Sequence, residues 1–367
     1  MSIVGIPRES ARALVAVTPE GVDRLTALGF TCLVEEGAGE RAGFAYSSTV
    51  SRQELWERAD IVLTLDPATW PAPRPGTVLV GLLGESRPAG VDAFALERLP
   101  RISRAQSMDV LSTLGTAAGY RAALLATERC PRFFPMLTTA AGTVPPARVL
   151  VLGAGVAGLM AMATARRLGA VVTGYDIRPA AQDEIRSVGA LVLTPPEVER
   201  PECDQMHACE QPEEVISRQQ EGLARAVAAS HVVIGTASVP GRPAPVLVTR
   251  AMVESMQPGA VVVDLALGNC ELTRAGEVYL HRGVHLLGLR DLPSQLPYSC
   301  SQMLARNLAA YLSLLAPGGT LKIPWEDELV SACCVSRKES HATRPEHPLP
   351  GNDPGASADP IGLSANL

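Results

Sequence analysis

The sequence predicts an α/β protein of two domains, each built on a largely parallel sheet. Three observations predict it. The chain has 367 residues, more than one ordinary hydrophobic core organises. Short apolar runs of strand length alternate with helix-length segments along most of it, the signature of βαβ units. The stretch 147–176 reads in order as strand, G-x-G-x-x-G turn, helix, strand and acidic residue. The resulting fold class is two Rossmann-like domains, the second a doubly wound parallel-sheet dinucleotide-binding domain.

The first domain opens with an apolar strand at 2–6. Thr18, Pro19 and Glu20 supply an N-cap, a first-turn proline and a first-turn acid for a helix whose apolar positions Val22, Leu25 and Leu28 run to Gly29. A strand at 31–35, a turn at 37–39, a short helix at 53–59 and strands at 61–63 and 77–80 follow, with a proline-rich linker at 67–75. Residues 101–109 are too polar for a core and lead into a helical pattern over 110–128. Such a helix carries the chain from the first domain to the second and leaves the polar stretch facing a cleft, where small ligands bind. The plainer reading of the same residues is a solvated, charged connector.

Residues 147–152 form a short apolar run after Pro145 and Pro146, suited to a buried parallel strand. Gly153 then allows a tight turn, Gly155 lets the backbone approach a pyrophosphate, and Gly158 lets the helix lie close to the strand. Ala154, Val156 and Ala157 complete the loop, and the helix N-terminus offers free N–H groups to phosphate. Asp176, at the end of the next strand, would accept from the ribose hydroxyls and repel a 2′-phosphate, so NAD(H) is the expected cofactor. Ile177 and Arg178 follow it, and the cation of Arg178 is the feature that works against that discrimination. Thr236 and Ala237, after a strand at 231–235, complete the expected cofactor-binding set.

A stretch rich in proline and glutamate at 195–214 has no period and reads as a surface loop. Residues 239–245 turn the chain, 249–256 read as a helix, and 260–265 and 285–289 as strands extending the sheet. An amphipathic helix at 301–315, with Met303, Leu304, Leu308, Tyr311, Leu312 and Leu315 on one face, returns to the first domain. Beyond residue 337 the composition is that of a disordered tail. The expected division is 1–126 plus 306–337, then 127–305, with the tail at 338–367.

A net charge of −6 gives no reason for a nucleic-acid or anionic-membrane partner. No apolar run reaches the roughly 18–20 residues a spanning helix needs, and residues 1–7 lack a signal pattern. A cytoplasmic protein without direct membrane insertion is expected. The eight cysteines are scattered. Cys203, His207 and Cys209 lack the second pair that would complete a four-ligand set, so no metal is expected.

The runs RISRAQSMD at 101–109, AGYRA at 118–122, TAAGTVPPA at 139–147, the Gly153 motif, PGRPAP at 240–245, DLA at 264–266 and GNC at 268–270 together resemble one family. It is the NAD(H)-binding domain of the proton-translocating nicotinamide nucleotide transhydrogenase alpha subunit, and the resemblance covers residues 2–337. It implies that Arg101, Gln106 and Asp109 form a loop holding the nicotinamide end of NADH, with Ser112 nearby. In that loop Arg101 would pair with Asp109 while Gln106 bonds the nicotinamide ribose or a neighbouring group. It further implies a homodimer that docks with an NADP(H)-binding membrane beta subunit and a membrane alpha-2-type subunit, at the inner membrane.

Alanine dehydrogenase shares the fold, and chemistry separates the two. Oxidising an amine or alcohol releases a proton as well as a hydride, so it needs a general base and a cationic carboxylate anchor. Where alanine dehydrogenases carry Arg, Lys and His, this chain shows Leu14 before Val15, Leu63 and Leu65 before Asp66, and Leu82 or Leu83. Hydride transfer between two nicotinamides needs only orientation and proximity. The chain also departs from the transhydrogenase pattern: 195–214 lacks a Gly-Gly-Tyr-Ala-Lys segment, the stretch before Gly268 is shortened, Gln295 replaces an Arg, and Leu14 stands where the family has Arg. Two alternatives stay open: a stand-alone NAD-dependent dehydrogenase or reductase of a specialised amino or oxo acid, with Asp109 or His231 as base, and a non-catalytic NAD-binding paralogue.

Overall fold

The computed structural model describes residues 1–67, 71–193, 213–239 and 242–338, with the side chains of 213–219 outside the description. In chain order the elements are β1 (Ile3–Ile6), α1 (Pro19–Ala27), β2 (Thr31–Val34), α2 (Arg52–Arg58), β3 (Ile61–Thr64), β4 (Val78–Gly81), β5 (Asp92–Ala95) and α3 (Val110–Arg129). Next come β6 (Leu137–Thr139), β7 (Gly142–Val144), β8 (Arg148–Leu152), α4 (Val156–Arg167), β9 (Val171–Tyr175), α5 (Pro179–Ser187), β10 (Leu191–Val192) and α6 (Glu213–Ala229). The chain continues through β11 (Val232–Gly235), α7 (Arg250–Glu254), β12 (Val261–Asp264), β13 (Val278–His281), β14 (Val284–Leu287), α8 (Pro297–Leu315), α9 (Glu328–Cys333) and β15 (Cys334–Ser336).

The described residues pack as two units. Unit 1 is Met1–Leu114 with the described part of Pro293–Asp353, and unit 2 is Gly115–Leu292. Packing changes partner at 114/115 and 292/293, where the sequence suggested 126/127 and 305/306. Gly119 shows why α3 joins unit 2 early: a Cβ there would lie 2.0 Å from the carbonyl oxygen of Ala157, so the helix lies against the start of α4 with no room for a side chain.

Unit 1 holds a six-stranded sheet in the order β15-β5-β4-β3-β1-β2. Its first five strands in chain order pair in parallel, and only β15 runs antiparallel, against β5. Every residue of β3, β4 and β5 is buried, as expected of parallel strands covered on both faces. Thr18 caps α1 by accepting the Gly21 N–H at 3.3 Å, with Pro19 in the first turn.

Unit 2 holds a seven-stranded sheet in the order β10-β9-β8-β11-β12-β14-β13, antiparallel only at the β13 edge. Two apolar layers cover its faces, one around Val149, Val151, Met162 and Ile234, the other around Leu150, Leu152, Val233 and Val262. Both sheets therefore have the Rossmann-like architecture that alternating strands and helices require. A separate hairpin, β6 with β7, stands outside both sheets.

Several elements lie where the sequence reading named none. The strand β5 begins with Asp92, which hides it, and β13 is half-exposed at a sheet edge, so neither shows a continuous apolar run. The helix α6 begins at Glu213, inside the expected loop 195–214. The remainder of that loop, with Cys203, His207 and Cys209, lies outside the described residues, as does the expected tail beyond Lys338.

Candidate nucleotide-binding site

In unit 2 the chain runs from β8 to β9 and β10 on one side, then returns to build β11, β12 and β14 on the other. The topological switch point lies between β8 and β11, and ligands of such sheets bind outside the carboxyl ends of the strands there. The glycine turn follows β8 at that point. Gly153 has φ of 97°, and a Cβ on it would lie 2.7 Å from Thr236 Oγ1 and 2.8 Å from the Ala237 nitrogen. Gly158 is held closer still, with a Cβ position 1.9 Å from the Gly153 carbonyl oxygen. Gly155 differs from both: nothing lies within 4 Å of its Cβ position. The open space stands beside the N-terminus of α4, which no side chain caps. A pyrophosphate fits there, with a glycine that leaves room and helix N–H groups without a side-chain acceptor.

Asp176 closes the turn from the next strand. Its Oδ2 accepts the Ala154 N–H at 2.8 Å and Arg178 Nη2 at 3.0 Å, while Oδ1 accepts the Arg178 N–H at 2.9 Å and Nε at 3.1 Å. The expectation that Asp176 stands ready for the ribose is thus corrected in one respect. Its four lone-pair positions are already taken, mostly by Arg178, and a ribose would enter by displacing the guanidinium. The bond to Asp176 holds Arg178 above the usual arginine range. Ile177 packs beneath, against the apolar layer of Leu150 and Tyr175.

The loops after β11 and β12 are locked together. Thr236 donates its N–H to Leu152 O at 2.7 Å and its hydroxyl to Gly153 O at 3.1 Å. Asn269, 1% exposed, accepts the Ala237 N–H at 2.8 Å and donates Nδ2 to the carbonyls of Ala237 and Pro245. Asp264 is buried and accepts from Ala266 N–H, Cys270 N–H and the Thr273 hydroxyl; burial pushes its carboxyl up, against those bonds. Asn269 and Asp264 are residues whose scaffold role the sequence did not disclose, although both lie in short motifs it singled out.

The other candidate residues lie in unit 1. Arg101 and Gln106 are exposed, and residues Ser103–Met108 form a 3₁₀ turn before α3. The expected pairing of Arg101 with Asp109 is absent among the described residues. Asp109 instead caps α3, accepting the Ser112 N–H at 2.9 Å and the Ser112 hydroxyl at 2.6 Å. Two anchors missed in the sequence stake the turn. Asn307 of α8 donates to Ser107 O at 2.9 Å and accepts the Thr113 hydroxyl at 2.7 Å. Arg104 grips Asp327 with both nitrogens, at 2.6 and 2.9 Å.

A buried ionisable cluster occupies the carboxyl edge of the unit 1 sheet, at the switch point between β1 and β3. Asp66 accepts the Ala11 N–H at 2.7 Å and the Ser10 hydroxyl at 3.2 Å; Glu9 accepts the Leu65 N–H at 2.7 Å. Glu9 and Arg12 are each 4% exposed. Burial raises the Glu9 carboxyl to about 8, with Asp66 adding to the rise and Arg12 opposing it. His231 lies elsewhere: it precedes β11 at the amino edge of the unit 2 sheet and accepts the Arg148 N–H on Nδ1 at 3.0 Å. Burial lowers it to about 4, so it is a neutral structural imidazole rather than the base considered above. Among the described residues there is no metal-holding group of His, Cys, Asp and Glu, and no helix long and apolar enough to cross a membrane.

Comparison with known proteins bears on both units. The family described as "Alanine dehydrogenase/PNT, C-terminal domain" matches residues 122–343, and "Alanine dehydrogenase/PNT, N-terminal domain" matches residues 5–118. The first of the two chains that make up the NAD(P) transhydrogenase alpha subunit of Rhodospirillum rubrum is 39% identical over 368 residues, covering 91% of this chain and 96% of that protein. The "Alanine dehydrogenase" of Mycobacterium tuberculosis is 30% identical over 348 residues, covering 86% and 88%. The crystal structure of transhydrogenase from Sinorhizobium meliloti superposes with a TM-score of 0.76 at 37% identity, covering 92% of this chain and 99% of that one.

Proposed function

The chain belongs to the alanine dehydrogenase/PNT family, and from that footing we propose that it is the NAD(H)-binding subunit of a proton-translocating transhydrogenase. It passes a hydride between NADH and NADP⁺ held on a partner subunit. The observation that carries this reading is the open space at Gly155 beside the uncapped start of α4, a cradle that a Cβ would fill. Bound NADH supplies the hydride from its C4, leaving as NAD⁺ while the partner's NADP⁺ becomes NADPH.

The residues of this chain then bind and orient. Gly153, Ala154, Gly155, Val156, Ala157 and Gly158 seat the pyrophosphate, with Thr236 and Ala237 closing the turn from β11. Asp176 takes the ribose once Arg178 swings aside, and its charge favours NAD(H) over NADP(H). Arg101 and Gln106 hold the nicotinamide end, while Asp109 and Ser112 fix the start of α3. The protein acts as a homodimer in the cytoplasm, docked on an NADP(H)-binding membrane beta subunit and a membrane alpha-2-type subunit.

The test is a fluorescence titration with NADH, followed by hydride transfer to an acetylpyridine NAD analogue in the presence of a purified transhydrogenase NADP(H)-binding domain. Binding with transfer supports the proposal. Binding without transfer favours the second reading, a stand-alone NAD-dependent dehydrogenase. One observation supports that second reading: Glu9, with its carboxyl near 8 beside Arg12, is in the range a general base needs at neutral pH.

A further inference from the structure

We propose that Arg290 is a positioning residue for the nicotinamide half of the dinucleotide, its guanidinium donating to the carboxamide oxygen. The inference rests on the nucleotide-binding reading of unit 2 and adds a residue to it.

Arg290 follows β14 on the same sheet edge as the glycine turn, because β8, β11, β12 and β14 all run parallel. Across that edge β9 carries Asp176 and β8 carries the turn. A dinucleotide with its adenosine ribose at Asp176 and its pyrophosphate at Gly155 runs its other half toward β11, β12 and β14. Three strand spacings separate β8 from β14, roughly 14 Å, a distance that takes Arg290 beyond the pyrophosphate.

Among the described residues the guanidinium has no partner of its own. Its Nε is buried without a hydrogen bond, and the side chain enters no ion pair there. A buried donor on a charged group is costly unless something meets it. Arginine only donates, so of the groups on a nicotinamide ring it recognises the carboxamide oxygen. Holding that oxygen fixes the direction in which C4 is presented.

The backbone at this edge carries a second sign. Leu267, just past β12, has φ of 53°, and Asp291, just past β14, has φ of 47°. Aspartate tolerates that region, but a leucine there is strained. Left-handed non-glycine residues beyond two adjacent strands are the kind of strain that gathers at ligand clamps.

The test compares NADH with ADP-ribose, which keeps the adenosine, pyrophosphate and second ribose but lacks the ring. Wild type should bind NADH more tightly. Arg290→Met should weaken NADH roughly tenfold or more and leave ADP-ribose unchanged within about twofold. A pyridine adenine dinucleotide without the carboxamide should bind wild type and Arg290→Met equally, and Arg290→Lys should restore part of the NADH affinity. Equal losses for NADH and ADP-ribose, or no loss for either, would overturn the assignment. Failure of wild type to bind ADP-ribose at all would instead remove the nucleotide reading of unit 2, and this inference with it. If Arg290→Met does not fold, Arg290→Gln and Arg290→Lys carry the same comparison, with thermal unfolding as the check on each.

Discussion

Arg178 grips Asp176 through two parallel bonds, Nε to Oδ1 at 3.1 Å and Nη2 to Oδ2 at 3.0 Å, at the point where the proposed nucleotide's ribose would sit. The same carboxylate holds the glycine turn through Ala154 N–H. The pair is therefore both a brace for the turn and a competitor for the ribose. Asp176→Ala should weaken NADH roughly ten- to a hundredfold by removing a charged acceptor, and relax discrimination against NADPH by freeing Arg178 for a 2′-phosphate. Arg178→Ala should do the opposite, improving NADH and weakening NADPH. Paired titrations of both nucleotides decide it; unchanged affinities in Asp176→Ala would show that the ribose lies elsewhere.

Gly155 and Gly153 should separate binding from folding. A methyl at Gly155 meets nothing within 4 Å, so Gly155→Ala should stay within about 1 kcal/mol of wild-type stability while losing at least roughly tenfold in NADH affinity. Gly153→Ala places a Cβ at 2.7 Å from Thr236 Oγ1 on a backbone with φ of 97°, and should lower the unfolding midpoint outright. Denaturant unfolding alongside NADH titration checks both; full NADH affinity in Gly155→Ala would place the pyrophosphate away from the turn.

Asn307 joins α8 to the turn that carries Gln106. Asn307→Ala leaves Ser107 O and the Thr113 hydroxyl without their partner, which should cost about 1–3 kcal/mol of stability. It should also slow hydride transfer more than it weakens NADH, because the proposed function of the turn is orientation. Arg104→Ala removes an exposed pair and should leave the midpoint nearly unchanged. A larger fall in Arg104→Ala than in Asn307→Ala would reverse this account of what anchors the turn.

Glu9 predicts a pH dependence. Its folded pKa, about 8, lies above the ordinary 4.5, so between those values the unfolded chain holds fewer protons than the folded one. Stability therefore falls as pH rises through that window, at a slope approaching about 1.4 kcal/mol per pH unit. Glu9→Gln cannot ionise and should lose that slope, matching wild type near pH 5 and exceeding it near pH 8. Parallel stability profiles from pH 5 to 9 would rule the mechanism out.

The nucleotide unit was legible because each of its parts is local: the strand, three glycines, helix and acid lie within thirty consecutive residues, 147–176, and their order is their meaning. What the sequence concealed is long-range. Asp66 meets Ala11 from 55 residues away, and Asn307 meets Ser107 from 200. In the sequence each is only a polar residue beside an apolar run. Arg178 was visible two residues from Asp176, but a linear reading treats neighbours as independent, and here the pair closes on itself. The edge strands β13 and β15 were missed because edge positions do not require the apolar continuity that marks buried parallel strands.

The antiparallel pairing of β15 with β5 has a consequence for synthesis. Unit 2 is one continuous length of chain and emerges complete, whereas the unit 1 sheet stays unfinished until residues beyond 292 have been made. While the ribosome builds the second Rossmann-like fold, the first waits without α8 and with the β5 edge unpaired. A nascent chain stalled in that interval presents an open, apolar strand, the kind of edge that recruits chaperones or other copies of itself.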